Sequence, residues 1–321
     1  MSRWGCYKMQ PTPILSAISP KFNVIVPAVK VQESWDWLVA NISDRPIPKI
    51  KDAFVFDHKT LAGALSVFLH SDKSHVEAVA CLYSASQFCG DPNEMIAIAN
   101  NKAQDIGVFT PKLETSIHKL INNPSSFPNA LSEHIAFWIQ LATLVRTRIF
   151  SSFAITLPNT LPTDPGPDGL SLAFDSKDEM VVEIRSVKSS IDRPTSLIST
   201  PSFRKGIDAN PEKQLEELYL VATAGYGFIK LDKLLSGAFA SLGKPNNKFI
   251  RAGLLRSTNK FNAVVVANSR FSSDKLFNGY ERVPRFPKDK IATYIGSDEW
   301  RLFSENVRAF VVETVKTAGV Y

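Results

Sequence analysis

Gly166-Pro167-Asp168-Gly169-Leu170-Ser171-Leu172-Ala173-Phe174, then Asp175-Ser176-Lys177-Asp178-Glu179, then Met180-Val181-Val182-Glu183-Ile184-Arg185-Ser186-Val187-Lys188, is the stretch from which the fold is read. Two apolar, alternating runs flank a polar turn, which predicts a β-hairpin. On the second strand, period-two alternation sends Met180, Val182 and Ile184 to one face and Val181, Glu183 and Arg185 to the other. A carboxylate and a cation on one face of an apolar strand are costly to bury, so stability alone does not ask for them. Asp168 heads the first strand. A two-residue turn at Ser176-Lys177 sets it opposite Arg185, on the face of Glu183, whereas a bulge at Gly169 alters that register.

Two acidic oxygens from adjacent strands beside a cation suit a hard divalent ion and a phosphodiester. Carboxylates hold Mg²⁺, the ion lowers the pKa of a bound water, and the cation offsets charge on the phosphorus centre. Pro167-Asp168 followed by Glu183-x-Arg185 resembles the PD-(D/E)XK nuclease superfamily, whose motif is proline-aspartate, then an acid, any residue and a lysine. Arg185 departs from that lysine. Because arginine stays protonated, it can stabilise charge but cannot serve as a base. Lys188 is the alternative cation, although it sits at odd spacing from Glu183 and needs an irregular strand end to join that face. The bland alternative is a surface hairpin with charges on its wet face.

The chain has 321 residues, 44% of them hydrophobic and 21% charged, enough for one large or two ordinary domains with a packed core. No apolar run has membrane-span length and residues 1–30 lack a secretory pattern, so a cytoplasmic protein is expected. The odd number of cysteines, Cys6, Cys81 and Cys89, without CxxC spacing, argues against structural zinc and a disulfide framework. The net charge is +6 and the pI about 9.1. From Lys244 through Lys248, Arg251 and Arg256 to Lys260 no acid interrupts the cations. Such a stretch suits a phosphate backbone, though a solvated face explains it equally well.

Along the chain, Phe22 to Val26 reads as a strand, Glu33 to Ile42 as a helix and Ala53 to Phe56 as a strand. Helices follow at Lys59 to His70, at His75 to Phe88, from Asp91-Pro92 to Gly107, and at Pro111 to Ile121. His58, His70, His75 and His118 lack metal spacing, and Cys81, Phe88 and Cys89 read as core residues. Asn122 to Asn129 has linker composition, which divides the chain into a mainly helical recognition or docking region, 1–125, and a nuclease-like domain, 126–321. Ser132 to Arg148 is a helix with Ser132 as N-cap and Glu133 in its first turn, where a glutamate ordinarily complements the helix dipole. Phe150 to Leu157 is a strand, Asn210-Pro211-Glu212 opens a helix to Gly225, Leu231 to Leu242 is helical, and Phe249 to Leu254 and Phe261 to Ala267 are strands. A terminal helix, Asp298 to Thr317, is capped by Ser297.

The expected fold class is therefore α/β with a mixed sheet. From residue 132 onward the order α-β-β-β-α-β is the core of the superfamily that the motif resembles, a restriction-endonuclease-like core. The resemblance implies a Mg²⁺- or Mn²⁺-dependent endonuclease acting on DNA. It implies Asp168 and Glu183 as metal ligands with Glu133 as a third carboxylate, and Arg185 or Lys188 as the catalytic cation. Arg193, Arg204 and Lys205 in the following loop, Lys213 and Gln214 on the next helix, and Lys248 and Arg251 are the candidate nucleic-acid contacts. A helical region joined to such a domain is similar to nuclease effector subunits of bacterial anti-phage systems such as Hachiman, which implies a helicase or ATPase partner. Two other classes compete: a catalytically silent nucleic-acid-binding or assembly subunit on the same fold, and a scaffold with no nucleic-acid role.

Overall fold

The hairpin forms where its alternation requires. The computed structural model describes residues 27–42, 63–89, 117–146, 152–155, 157–158, 168–174, 180–190, 258–269, 276–277 and 289–317. Within them the order is α1 (Ala28–Asn41), β1 (Gly63–Leu69), α2 (Lys73–Ser84), α3 (Phe127–Arg146), β2 (Ser152–Ile155), β3 (Gly169–Phe174), β4 (Met180–Ser190), β5 (Thr258–Asn268), β6 (Asp289–Ser297) and α4 (Trp300–Thr317). The expected strands at 22–26, 53–56 and 249–254, and the helices at 91–107, 210–225 and 231–242, lie outside the described residues, as does the start of the one at 111–121.

The strands build one six-stranded sheet in the order β1-β6-β5-β4-β3-β2. β2, β3 and β4 form an antiparallel meander, while β4, β5, β6 and β1 run parallel. The fold is thus mixed α/β. β1 and β6 pair directly, so residues on both sides of position 125 contribute to one sheet. Valines and isoleucines on one sheet face (Val67, Val187, Val264, Val266, Ile295) join α1, α2, α3 and α4 in one core. There Trp138 of α3 packs against Trp35 of α1 with ring centroids 5.7 Å apart and donates its indole N–H to the Leu82 carbonyl of α2 over 2.8 Å.

Four local readings change. Residues 63–69, expected as part of a helix at 59–70, form β1. Leu65, Val67 and Leu69 satisfy an alternating pattern as well as a helical one, and the parallel partner β6 selects the strand. β6 itself was not foreseen. Ala292, Thr293, Tyr294 and Ile295 are all buried, so the strand is covered on both faces and lacks the polar alternation that marks a half-exposed one. α3 begins at Phe127 rather than after Ser132, led in by a 3₁₀ turn at Pro124–Ser126. Pro128 is tolerated in a first turn, and Ser132 Oγ donates to the Asn129 carbonyl instead of capping. Ser297 ends β6 rather than capping α4, and Asn268 Oδ1 accepts from the Trp300 N–H at 2.6 Å in its place. In α2 the expected helix at 75–88 begins with Asp72 accepting from the His75 N–H, and closes in a π-helical turn at Ala85–Cys89.

Candidate functional site

The hairpin register settles which residues meet. Gly169 pairs with Arg185, Ser171 with Glu183 and Phe174 with Met180, leaving residues 175–179 between the paired ends. This register is one residue away from the one expected from a two-residue turn, and Asp168 does not stand opposite Arg185. Continued by one step, the register sets Asp168 level with Ser186. Asp168 lies just ahead of β3, and its carboxylate occupies the β4 edge that β3 leaves open. Asp168 Oδ2 accepts from the Val187 N–H at 2.6 Å and from Ser186 Oγ at 3.2 Å.

Glu183 and Arg185 have a different setting. Both are buried beneath α3, Arg185 with no exposed surface and Glu183 at 7%. Glu183 Oε1 accepts from Asn262 Nδ2 at 3.0 Å, and Thr293 Oγ1 donates to Asn262 Oδ1 at 2.9 Å. Arg185 Nη1 donates to the Ala136 carbonyl at 3.0 Å and to Gln140 Oε1 at 2.6 Å. Its Nη2 reaches the Asp168 carbonyl at 3.4 Å. Gln140 Nε2 in turn donates to Ser171 Oγ at 3.0 Å. This is a buried polar ladder across β3, β4, β5 and β6. Burial pushes the Glu183 carboxyl up, opposed by its Asn262 bond and the Arg185 and Lys260 charges. Burial also lowers Arg185 to about 10, against the pull of Glu183, Asp168 and Glu133.

Glu133 joins Asp168 rather than the first turn of a helix. Because α3 starts at Phe127, Glu133 lies in its second turn, where the dipole explanation is weak. Asn129, Glu133, Ala136 and Gln140 form one helical stripe along β4: Ser189 Oγ donates to Asn129 Oδ1 at 2.6 Å, and Ala136 and Gln140 meet Arg185. Glu133 is 7% exposed, and its Oε2 makes no hydrogen bond among the described residues. Burial, then the nearby Asp168 charge, pushes its carboxyl up to about 8, with Arg185 and Lys188 opposing. Asp168 and Lys188 are half-buried, so this group opens to solvent through them.

Of the residues expected at the site, Asp168 and Lys188 thus come within electrostatic reach of Glu133, whereas Glu183 and Arg185 belong to the buried ladder. Arg193, Arg204, Lys205, Lys213, Gln214, Lys248 and Arg251 lie outside the described residues. Sequence reasoning did not single out Gln140, Ser186, Asn262 or the core pair of His134 Nδ1 and Ser86 Oγ, 2.6 Å apart. The signal for Gln140 was available: positions 129, 133 and 140 are polar at helical spacing in a mainly apolar helix.

Glu133 and Asp168 are carboxylates of the chemical type that holds Mg²⁺ or Mn²⁺, since Mg²⁺ is commonly held by one or two carboxylates with waters and substrate phosphate completing the shell, and Glu133 Oε2 makes no hydrogen bond among the described residues. Among the described residues no group of three or more His, Cys, Asp or Glu side chains is arranged to hold a metal ion. His70 Nδ1 and Asp298 Oδ2 are 3.0 Å apart at the exposed ends of β1 and β6, away from this group. Among those residues no helix is long and apolar enough to cross a membrane. No family model matches the chain, and no curated protein matches it.

Proposed function

We propose that this protein is a metal-dependent nuclease cutting DNA, with Glu133 and Asp168 as the hard-ion carboxylates and Lys188 as the cation at the scissile phosphate. One observation carries the reading. The unpaired, buried Glu133 oxygen lies within electrostatic reach of the Asp168 carboxylate and of Lys188, where the edge of β4 is left open. The succession α3, β2, β3, β4, with β5 returning parallel to β4, matches that part of the PD-(D/E)XK order and supports the reading, the helix expected between β4 and β5 lying outside the described residues. The register also bears on the motif. The register sets Asp168 level with Ser186, two residues before Lys188, while Glu183 lies in the buried ladder, so on this alignment Lys188 takes the motif's lysine position and a serine stands where the motif carries its acid.

A bound divalent ion would supply an activated water and neutralise phosphate charge. The chain's own groups would do the rest. Asp168, held by the Val187 N–H, presents its other oxygen, Glu133 excludes water from the inner side, and Lys188 stabilises negative charge at the solvent side. Ser186 in the acid's position favours one second reading, a DNA-binding subunit with little or no cleavage. Incubating plasmid and linear DNA with Mg²⁺, Mn²⁺ or EDTA separates the two. Metal-dependent cutting that disappears in Glu133→Gln and Lys188→Ala is expected. Salt-dependent binding with no cutting under any metal selects the second reading, and the absence of both removes each.

A further inference from the structure

Resting on that metal-site reading, we infer that Arg185 is the positioning residue that sets the spacing between Glu133 on α3 and Asp168 ahead of β3. A guanidinium with no exposed surface cannot touch a substrate in solvent, yet it spans both elements that carry the carboxylates. On one side Nη1 holds the Ala136 carbonyl, one helical turn beyond Glu133, and Gln140 Oε1, one turn further. On the other, Nη2 reaches the carbonyl of Asp168 itself. Arginine suits this task because its planar fork fixes several acceptors at once, which a lysine cannot do.

Gly169 shows how closely the fork fits. A Cβ built there would lie 2.1 Å from Arg185 Nη2, 2.6 Å from Cζ and 2.8 Å from Nε. The backbone of β3 therefore starts directly on the guanidinium plane, and only glycine permits that approach. The Asp168-Gly169 pair thus has two jobs: one residue supplies the carboxylate, and the next lets the arginine set where that carboxylate begins. The cation also lies within reach of Glu133, Asp168 and Glu183, which limits repulsion among them before an ion arrives.

Two variants approach the contact from opposite sides. Arg185→Lys keeps the charge and loses the fork. Gly169→Ala keeps every polar group and displaces the fork. Each is compared with the parent by Mn²⁺ titration calorimetry and by amide hydrogen exchange at Val187, whose N–H bonds to Asp168. Groups that orient metal ligands typically contribute about 10- to 100-fold in affinity. Both variants should therefore bind Mn²⁺ at least about tenfold more weakly and exchange the Val187 amide at least about tenfold faster, with far-UV circular dichroism retained. A merely structural arginine would lower the melting temperature and leave Mn²⁺ affinity of the folded variants unchanged, which overturns the inference alone. A parent that binds no Mn²⁺, and behaves like Glu133→Gln, overturns the metal-site reading and this inference with it.

Discussion

The Val187 backbone N–H donates to Asp168 Oδ2 over 2.6 Å, so the residue that heads β3 closes the free edge of β4 with its side chain instead of its backbone. Ser186 Oγ uses the same oxygen. Asp168 is therefore part of the fold as well as of the candidate site. Asp168→Ala leaves a part-buried N–H unpaired and should lower unfolding free energy by about 1–3 kcal/mol. Asp168→Asn keeps an acceptor oxygen and should hold stability within about 1 kcal/mol while removing metal binding and cleavage. Denaturant titration together with a Mn²⁺ titration checks both. Equal stability of the two variants would show that the bond to Val187 contributes nothing.

Lys188 and Arg185 should separate in kind. Lys188→Ala, at a half-buried position, should fold as the parent does and lose about 10²-fold or more in cleavage rate. Arg185→Ala removes a fully buried cation with several acceptors and should cost about 3 kcal/mol or more in stability. The melting curve and the single-turnover rate of each variant test this, and a stable Arg185→Ala protein would contradict the packing described.

Glu183 supplies a pH prediction. Its folded pKa is raised by burial, so the folded state holds the proton more tightly than the unfolded chain. The stability this gives is full below the ordinary glutamate value and declines as pH rises through the folded pKa. Glu183→Gln can still accept from Asn262 and has no charge to bury. The variant should gain on the parent as pH rises above the ordinary glutamate value in guanidinium titrations, and a difference that shrinks with pH would show that Arg185 and Lys260 more than offset the desolvation.

Ser186→Asp places a third carboxyl beside Asp168. Without metal it should be less stable than the parent, since like charges meet at a partly closed edge. With Mn²⁺ the order should reverse, because an ion bound only by the folded state stabilises it in proportion to its affinity. Thermal melts in EDTA and in Mn²⁺ measure the crossover, and its absence would speak against an ion at this edge.

The cations from Lys244 to Lys260 make a claim from sequence alone. Lys248→Glu with Arg251→Glu should weaken DNA binding and flatten the slope of log affinity against log salt by about one per lost phosphate contact. An unchanged slope would mark this stretch as an ordinary solvated surface.

Much of the architecture was legible because it is local. The alternation on either side of residues 175–179 marked β3 and β4, the run Phe261 to Ala267 marked β5, and helical spacing marked α1, α2, α3 and α4. Asp168, Lys188 and Glu133 were also legible as residue types suited to one site. Partners distant in sequence set the rest. β1 is a strand because β6 lies beside it, and β6 is buried on both faces, which erases the period-two signal. Register had the largest effect on function, because a shift of one residue moves every side chain to the opposite face. Pairing Gly169 with Arg185 took Glu183 and Arg185 under α3 and set Asp168 against Ser186 and Val187, where β4 runs past the start of β3. Sequence supplied the charges, and the packing of Arg185 against Gly169, Ala136 and Gln140 determined which of them meet.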